Sequence, residues 1–505
     1  MALPDDRIIV IIYALAGART MKQIWYSGNG RVDHALLALA LLTAAMFIAA
    51  QQAEANSGTD NQVEGQRPNI VYILADDLGW GDVGFHRGVP RTPNLDRLAA
   101  GGAMLNAFYA QPFSSQTRAA MLTGRYPMRY GLQTLSVGPA SDYGLPAEER
   151  TFALALKESG YRTAFVGSWL LGHSDKTFWP TQHGFDHFYG TLSGLAEPVL
   201  RKDVKSDWYR GERSIRENGY VTNLIAAEAA SIIDKHAAGA PLLLVAAFDT
   251  PAKYWGAPQP LIESYKDISD DARRSYAAAV SALDAAVGRI VSALEKRDML
   301  NDTLIVFHSD NGGAIPMRFA TGDGDIRSPV SDNGVFRQGK GSLYEGGVRV
   351  AALAHWPARI KPKTVVTQPI HVTDMYVTLL TAGGASLEQR KKTDGVDAIP
   401  VIADGELTTR KGREILLNIE PFHGAIRIGE WKLIIHTALP TKVELFQIAN
   451  DPEEAENQAA TYPDRVAAMM QRLNEYAYEM APAKYLGDPG VDNRPVYWRE
   501  NIPTR

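Results

Sequence analysis

Residues 68–77 read Pro-Asn-Ile-Val-Tyr-Ile-Leu-Ala-Asp-Asp. Positions 69–74 form a short apolar run rich in Ile and Val, which predicts a buried strand. Two adjacent carboxylates, Asp76 and Asp77, follow directly at its carboxyl end. The same pattern recurs at 162–166, 242–248 and 303–307, each bounded by polar or glycine-containing turns. Helical patterns lie between these runs, the longest at 271–298, with Ala, Leu, Val and Ile at helical spacing. Strands alternating with helices predict an α/β fold: a large, mostly parallel or mixed sheet sandwiched by helices. In such sheets, sites form at the carboxyl ends of the strands.

Beyond residue 385 the pattern changes. Segments 414–418, 425–428, 431–436 and 443–446 read as short strands separated by turns, and 463–480 as an amphipathic helix. They predict a small antiparallel sheet with one covering helix, in a C-terminal subdomain over 386–505. The main domain is expected over 68–385, after a polar linker at 56–67. Positions 35–50 are almost unbroken apolar sequence after Lys22 and Arg31, followed by the small-x-small pattern Ala53-Glu54-Ala55. That is the form of a signal peptide, with Met21-Lys22 as its more ordinary start, and it predicts export to a periplasmic or extracellular space. An uncleaved anchor is the alternative, although the run is short for a membrane span.

The 505 residues include no cysteine, which excludes disulfides, thiolate metal sites and a cysteine nucleophile. A net charge of −5 without long single-sign runs gives no nucleic-acid surface. Hydrophobic residues make up 45% of the chain, enough for a large core and more than one domain.

The carboxylates carry the first chemical hint. Asp76 and Asp77 would repel each other unless something cationic sits beside them. Asp310 and Asn311 form a second oxygen-rich pair just past the 303–307 run. Each pair alone reads as turn chemistry. Together, at two strand ends of one sheet, they suit a hard cation, Ca²⁺ or Mg²⁺. A third element is Gln-Pro-Phe-Ser-Ser-Gln-Thr-Arg at 111–118. A helix can begin at Thr117, with Arg118 in its first turn and Ser114 just before it. Free N–H groups and a fixed guanidinium favour an anion there, the alternative for Ser114-Ser115 being an ordinary N-cap.

These segments resemble the sulfatases of the alkaline-phosphatase-like superfamily, and the arylsulfatases in particular. The resemblance is carried by Leu-Ala-Asp-Asp-Leu-Gly-Trp-Gly-Asp (74–82), Thr-Pro-Asn-Leu-Asp-Arg-Leu-Ala (92–99) and Leu-Thr-Gly-Arg-Tyr-Pro (122–127). It continues through Ser-Asp-Asn-Gly-Gly (309–313), Gly-Lys-Gly-Ser-Leu-Tyr-Glu-Gly-Gly-Val-Arg (339–349) and Asp-Pro-Glu-Glu (451–454). It implies a hydrolase of sulfate esters, small-molecule or glycan. It also implies one divalent metal, usually calcium, at Asp76, Asp77, Asp310 and Asn311. The nucleophile position falls on Ser114, with Arg118 and Lys340 holding charge on the nucleophile and the ester oxygens.

Four departures surround this pattern. The family's Cys-or-Ser, x, Pro-or-Ala, Ser, Arg is here Ser114-Ser115-Gln116-Thr117-Arg118. In the family the first residue is oxidised to formylglycine, and an unmodified serine lacks the second hydroxyl that expels sulfate. The family's Gly-Lys-Trp-His-Leu-Gly is Gly167-Ser168-Trp169-Leu170-Leu171-Gly172, and its Pro-His-x-Pro is Pro251-Ala252-Lys253-Tyr254. A lysine and two histidines are thus replaced by Ser168, Leu170 and Ala252. Loss of one general acid typically costs about 10²–10⁴-fold in rate. Lys253, His173 and His308 are the neighbours available as substitutes, Lys253 pointing away if its segment is extended. Two alternatives therefore stand beside sulfate hydrolysis. One is a serine-nucleophile hydrolase of another ester such as phosphate. The other is a sulfatase-like pseudoenzyme that binds its ligand without turnover.

Overall fold

The computed structural model describes residues 67–486 apart from 195–197, 204–206, 253–255, 316–329, 406–411 and 438–439. The export signal read over 1–55, the linker up to residue 66 and Lys253 lie outside the described residues. The predicted strand at 69–74 is the central element of a ten-stranded sheet and runs Asn69–Asp76. Its apolar residues alternate between two cores. Ile70, Tyr72 and Leu74 face one hydrophobic cluster, while Val71, Ile73 and Ala75 face the other. Burial on both faces explains why the run reads as continuously apolar.

Five neighbouring strands are parallel, in the order Thr303–Ser309, Asn69–Asp76, Leu242–Pro251, Arg162–Ser168 and His187–Thr191. Antiparallel partners flank them: Ala352–His355 pairs with Thr303–Ser309, and Tyr209–Arg210 with His187–Thr191. The sheet is therefore mixed, with a parallel centre. Helices Ser114–Thr123, Phe152–Glu158 and Asp374–Ala382 contribute to one core, and Pro93–Gly101, Val221–Lys235 and Asp271–Lys296 to the other.

Each sequence-predicted central strand continues two or three residues further, to Asp76, Ser168, Pro251 and Ser309. The extension has a physical cause. Ladder hydrogen bonds do not depend on side-chain polarity, so Ala75 still registers with Ser309 after the apolar run has ended.

Strands Glu414–Ile419, His423–Ile428, Trp431–His436 and Lys442–Gln447 form an antiparallel sheet in sequence order. Helix Pro463–Tyr478 covers one face through Met469, Leu473 and Tyr476. The other face packs Ile415, Leu417, Ile434 and Phe446 against Leu343, Tyr344 and Val348. These last residues follow Lys340 in the chain, so this sheet backs the segment that delivers Lys340. Among the described residues, Asp271–Lys296 is the one helix long and apolar enough to cross a membrane. It buries Tyr276, Leu283, Val287 and Ile290 in the core instead.

Candidate functional site

The parallel strands end beside one another, and their last residues supply the polar groups. Asp310 N donates to Ala75 O at 2.9 Å, which keeps the two acidic pairs in register. Asp77 turns the chain in the left-handed region at φ 61°, a conformation Asp tolerates better than most residues. One oxygen from each of Asp76, Asp77 and Asp310 lies within 4.8 Å of the others, and all three residues are buried. Asn311 joins them, its Nδ2 donating to Asp77 Oδ1 at 2.8 Å.

Two cations reach this cluster. Lys340 Nζ lies 2.5 Å from Asp77 Oδ1. Arg118 Nη2 lies 3.2 Å from Asp310 Oδ2 and 3.8 Å from Asp76 Oδ2, while Nη1 donates to Ser168 O at 2.6 Å. The Lys340 segment is held by backbone bonds from Lys340 N to Gly313 O and from Gly341 N to Pro112 O. Close backbone approach adds to this: a Cβ on Gly312 would sit 1.7 Å from Gly346 O, so only glycine fits.

Ser114 corrects the sequence reading in one respect. The helix starts at Ser114 rather than Thr117, Phe113 is its N-cap residue, and no side chain caps it. Ser114 Oγ instead lies 3.2 Å from Asn311 Oδ1 and 3.4 Å from Asp76 Oδ1. Ser115 serves the wall, donating to Leu170 O at 2.7 Å and accepting from Val137 N at 2.8 Å. Gln116 donates to Gln133 O at 2.6 Å and to Thr134 O.

Electrostatics set what the cluster can hold. Burial pushes the Asp76 carboxyl well above its usual range, and repulsion from Asp310 and Asp77 adds to this against the pull of Lys340 and Arg118. Burial also raises Asp310, with Arg118 opposing. Burial alone would lower Lys340, but Asp77, Asp76 and Asp310 overrule it and raise the ammonium. Three carboxylates against two cations leave a formal charge of −1, which a divalent ion would reverse. The donors are all oxygens, without thiolate or imidazole, so the residues present fit a hard divalent cation.

Ser114, Asp76, Asp77 and Lys340 open onto a cavity of ≈ 410 Å³, whose far wall includes Leu170, Asp249, Thr250 and Ala252. Among its described lining residues Lys340 is the only cation, and none is histidine. Of the substitute groups, His308 is fully buried and packed, its Nε2 2.7 Å from Tyr72 OH and its Nδ1 2.7 Å from Ser309 O. Burial lowers its pKa to about 4. His173 is not among the lining residues. Ser168 donates through Oγ to Asp249 Oδ1. Asp249 escaped the sequence reading, although a carboxylate directly after the apolar run at 242–248 is the signal that marked Asp76 and Asp310.

Comparison with known proteins agrees with this architecture. The family model "Sulfatase" matches residues 68–385, and "N-sulphoglucosamine sulphohydrolase, C-terminal" matches 333–479. The chain is 30% identical to Arylsulfatase J of Mus musculus over 475 residues, covering 83% of this chain and 77% of that protein. It is 34% identical to N-acetylgalactosamine-6-sulfatase of Mus musculus over 402 residues, covering 74% and 72%. Among solved structures, Ps i-CgsB in complex with k-i-k-neocarrahexaose aligns with a TM-score of 0.74 and 29% identity, covering 83% of this chain and 94% of that one.

Proposed function

The chain belongs to the sulfatase family, and on that premise we propose a calcium-dependent hydrolase of carbohydrate or small-molecule sulfate esters with position 114 as its nucleophile. The observation that carries this reading is the placement of Ser114 Oγ. It lies at the first turn of a helix, beside Asp76 and Asn311, in the cavity that Lys340 also lines. Unpaired N–H groups of that turn favour the negative charge of a bound sulfate. Arg118 holds the acidic cluster in place, and Lys340 meets the ester oxygens. Asp76, Asp77, Asp310 and Asn311 would hold calcium, with magnesium as the other hard cation. A bound divalent ion supplies Lewis-acid polarisation of a sulfate oxygen.

Position 114 can act by two routes. As formylglycine, its hydrate attacks sulfur through one hydroxyl and expels sulfate through the other. As serine, it forms a sulfate ester that water must cleave. Mass spectrometry of the peptide spanning Ser114, from protein made in the native host, separates them by the loss of two hydrogens. The carbohydrate part of the reading is supported by the relatives, one named N-acetylgalactosamine-6-sulfatase and one solved in complex with k-i-k-neocarrahexaose. Export is supported by the sequence at 22–55 alone.

The test uses 4-nitrophenyl sulfate and 4-nitrophenyl phosphate, each with calcium and with a chelator. Calcium-dependent release from the sulfate is expected. Release from the phosphate alone transfers the reading to phosphate esters. A second reading, ligand binding without turnover, is favoured by Ser168, Leu170 and Ala252, which leave the far wall without cation or imidazole among the described residues. Silence on both esters, with calcium-dependent thermal stabilisation, selects it.

A further inference from the structure

The far wall of the cavity carries one ionisable group to which the roles above give no task. Asp249 lies near the end of strand Leu242–Pro251 and lines the cavity together with Thr250, Pro251, Ala252, Ser114 and Lys340. Its two oxygens differ. Oδ1 accepts from Ser168 Oγ, a neutral donor. Oδ2 is shut off from solvent and has no hydrogen-bond partner among the described residues. Arg118 directs its Nη atoms to Asp310, Asp76 and Ser168 O, and among the described residues no ion pair is formed with Asp249. A carboxylate beside a cavity, with no cation paired to it among the described residues, is poorly placed to hold a sulfate anion. Asp249 as a residue is partly exposed beside the cavity, so a carboxylic acid at the same point can turn an oxygen toward a ligand and donate a proton.

We propose that Asp249 is the acid–base group of this cavity, donating a proton to the ester's leaving oxygen. The proposal rests on the hydrolase reading above. As the oxygen of residue 114 bonds to sulfur, the S–O bond to the leaving group breaks and its electron pair stays on the leaving oxygen. The Asp249 proton neutralises that oxygen and the free alcohol departs, while the proton of Ser114 passes to solvent. In the serine route, the Asp249 carboxylate then takes a proton from a water molecule whose oxygen attacks sulfur. Hydrogen sulfate leaves, Ser114 recovers a proton from solvent, and Asp249 is again an acid. The net change is ester plus water to alcohol plus hydrogen sulfate.

The charged surroundings act in the same sense. Burial raises the Asp249 carboxyl, opposed by the Ser168 hydrogen bond and by Arg118, and reinforced by the carboxylates of Asp207 and Asp310. A raised acid remains protonated to higher pH, which a proton donor requires.

A purely structural role, in which Asp249 only anchors Ser168, would affect every substrate alike. Proton donation would not, because its value depends on the leaving group. The test therefore compares 4-nitrophenyl sulfate, whose leaving phenolate is stable without a proton, with phenyl sulfate, whose phenolate is not. Asp249→Asn is expected to lower kcat/KM on phenyl sulfate by roughly 10²–10⁴-fold, and on 4-nitrophenyl sulfate by less than about 10-fold. Asp249→Glu, which keeps the carboxyl but moves it, should lie between wild type and Asn on phenyl sulfate. It carries the same comparison should the Asn variant fail to fold. Equal losses on both substrates, or no loss on either, overturn the proposal and leave the hydrolase reading standing. A wild-type protein silent on both overturns the hydrolase reading, and this proposal with it.

Discussion

The two walls of the cavity differ in how much of the family pattern they keep. On one wall Asp76, Asp77, Ser114 and Lys340 line the cavity, with Asp310, Asn311 and Arg118 joined to this set through contacts between 2.5 and 3.4 Å. On the other, Leu170 and Ala252 line the cavity with Asp249, and Ser168 donates to Asp249 from behind the lining. Ser168, Leu170 and Ala252 stand where the resemblance expects a lysine and two histidines, and among the described residues Asp249 is the ionisable group beside them. The first wall is interdependent through its charges: removing Arg118 or Lys340 leaves buried carboxylates uncompensated, at several kcal/mol. The second is not. Ser168 satisfies its own hydroxyl through Asp249, and Leu170 and Ala252 add no polar side chain to the wall. Substitution there changes chemistry at little cost to folding, so the two walls can diverge separately.

The comparison breaks first at Ser114. Ser114→Ala should lower sulfate ester hydrolysis by at least about 10³-fold, since it removes the atom proposed to attack. Its thermal midpoint should hardly move, because Ser114 Oγ caps nothing. Retained activity would move the nucleophile elsewhere. Next in size is restoration of the far wall. Ser168→Lys, Leu170→His and Ala252→His together should raise kcat/KM on phenyl sulfate by about 10²-fold. Ser168→Lys alone should lower it, because an ammonium beside Asp249 holds that carboxyl ionised. A triple variant without gain would mean that the substituted wall is not what limits the reaction.

Calcium removal probes the first wall alone. An ion present at 100 times its Kd stabilises the folded state by about 2.7 kcal/mol, read as a lower melting temperature in chelator. Asp310→Asn should abolish that difference. The smallest effect concerns the hydrogen bond between Ser168 and Asp249. The proton donor must be protonated, so the rate on phenyl sulfate should fall as pH rises through the Asp249 pKa, which lies above the ordinary carboxylate value. Ser168→Ala removes a donor that favours the ionised form. The descending limb should therefore shift to higher pH, by less than about one unit. A shift to lower pH would contradict the assigned donor direction.

Much of this architecture was legible because it is local. The run at 69–74 is apolar on both faces because both faces are covered, and Asp76-Asp77, turn chemistry when read alone, became site candidates beside a second oxygen-rich pair at another strand end. Asp310-Asn311 repeated the pattern, and the C-terminal strands were recognisable from turns and alternation. The strand ends were less legible. Positions such as Ser168 and Ser309 are polar, and a reading based on apolar periodicity stops before them although the ladder continues. The helix start was placed three residues too late, at Thr117 instead of Ser114, for the same kind of reason, since the polar run 114–117 carries no helical periodicity and yet is helical.

By itself, then, the sequence determined the alternating α/β order, the oxygen-rich residue types at two strand ends, and the identity of the substituted positions. These follow from side-chain chemistry and short-range spacing, which a chain carries before it folds. Only the tertiary structure decided which distant groups share one cavity. Ser168 and Asp249 are 81 residues apart, and Lys340 and Asp77 are separated by 263. Parallel strands return through helices, so residues far apart in the chain end at one edge of the sheet. There burial sets their charge and pairing, and no local pattern records it.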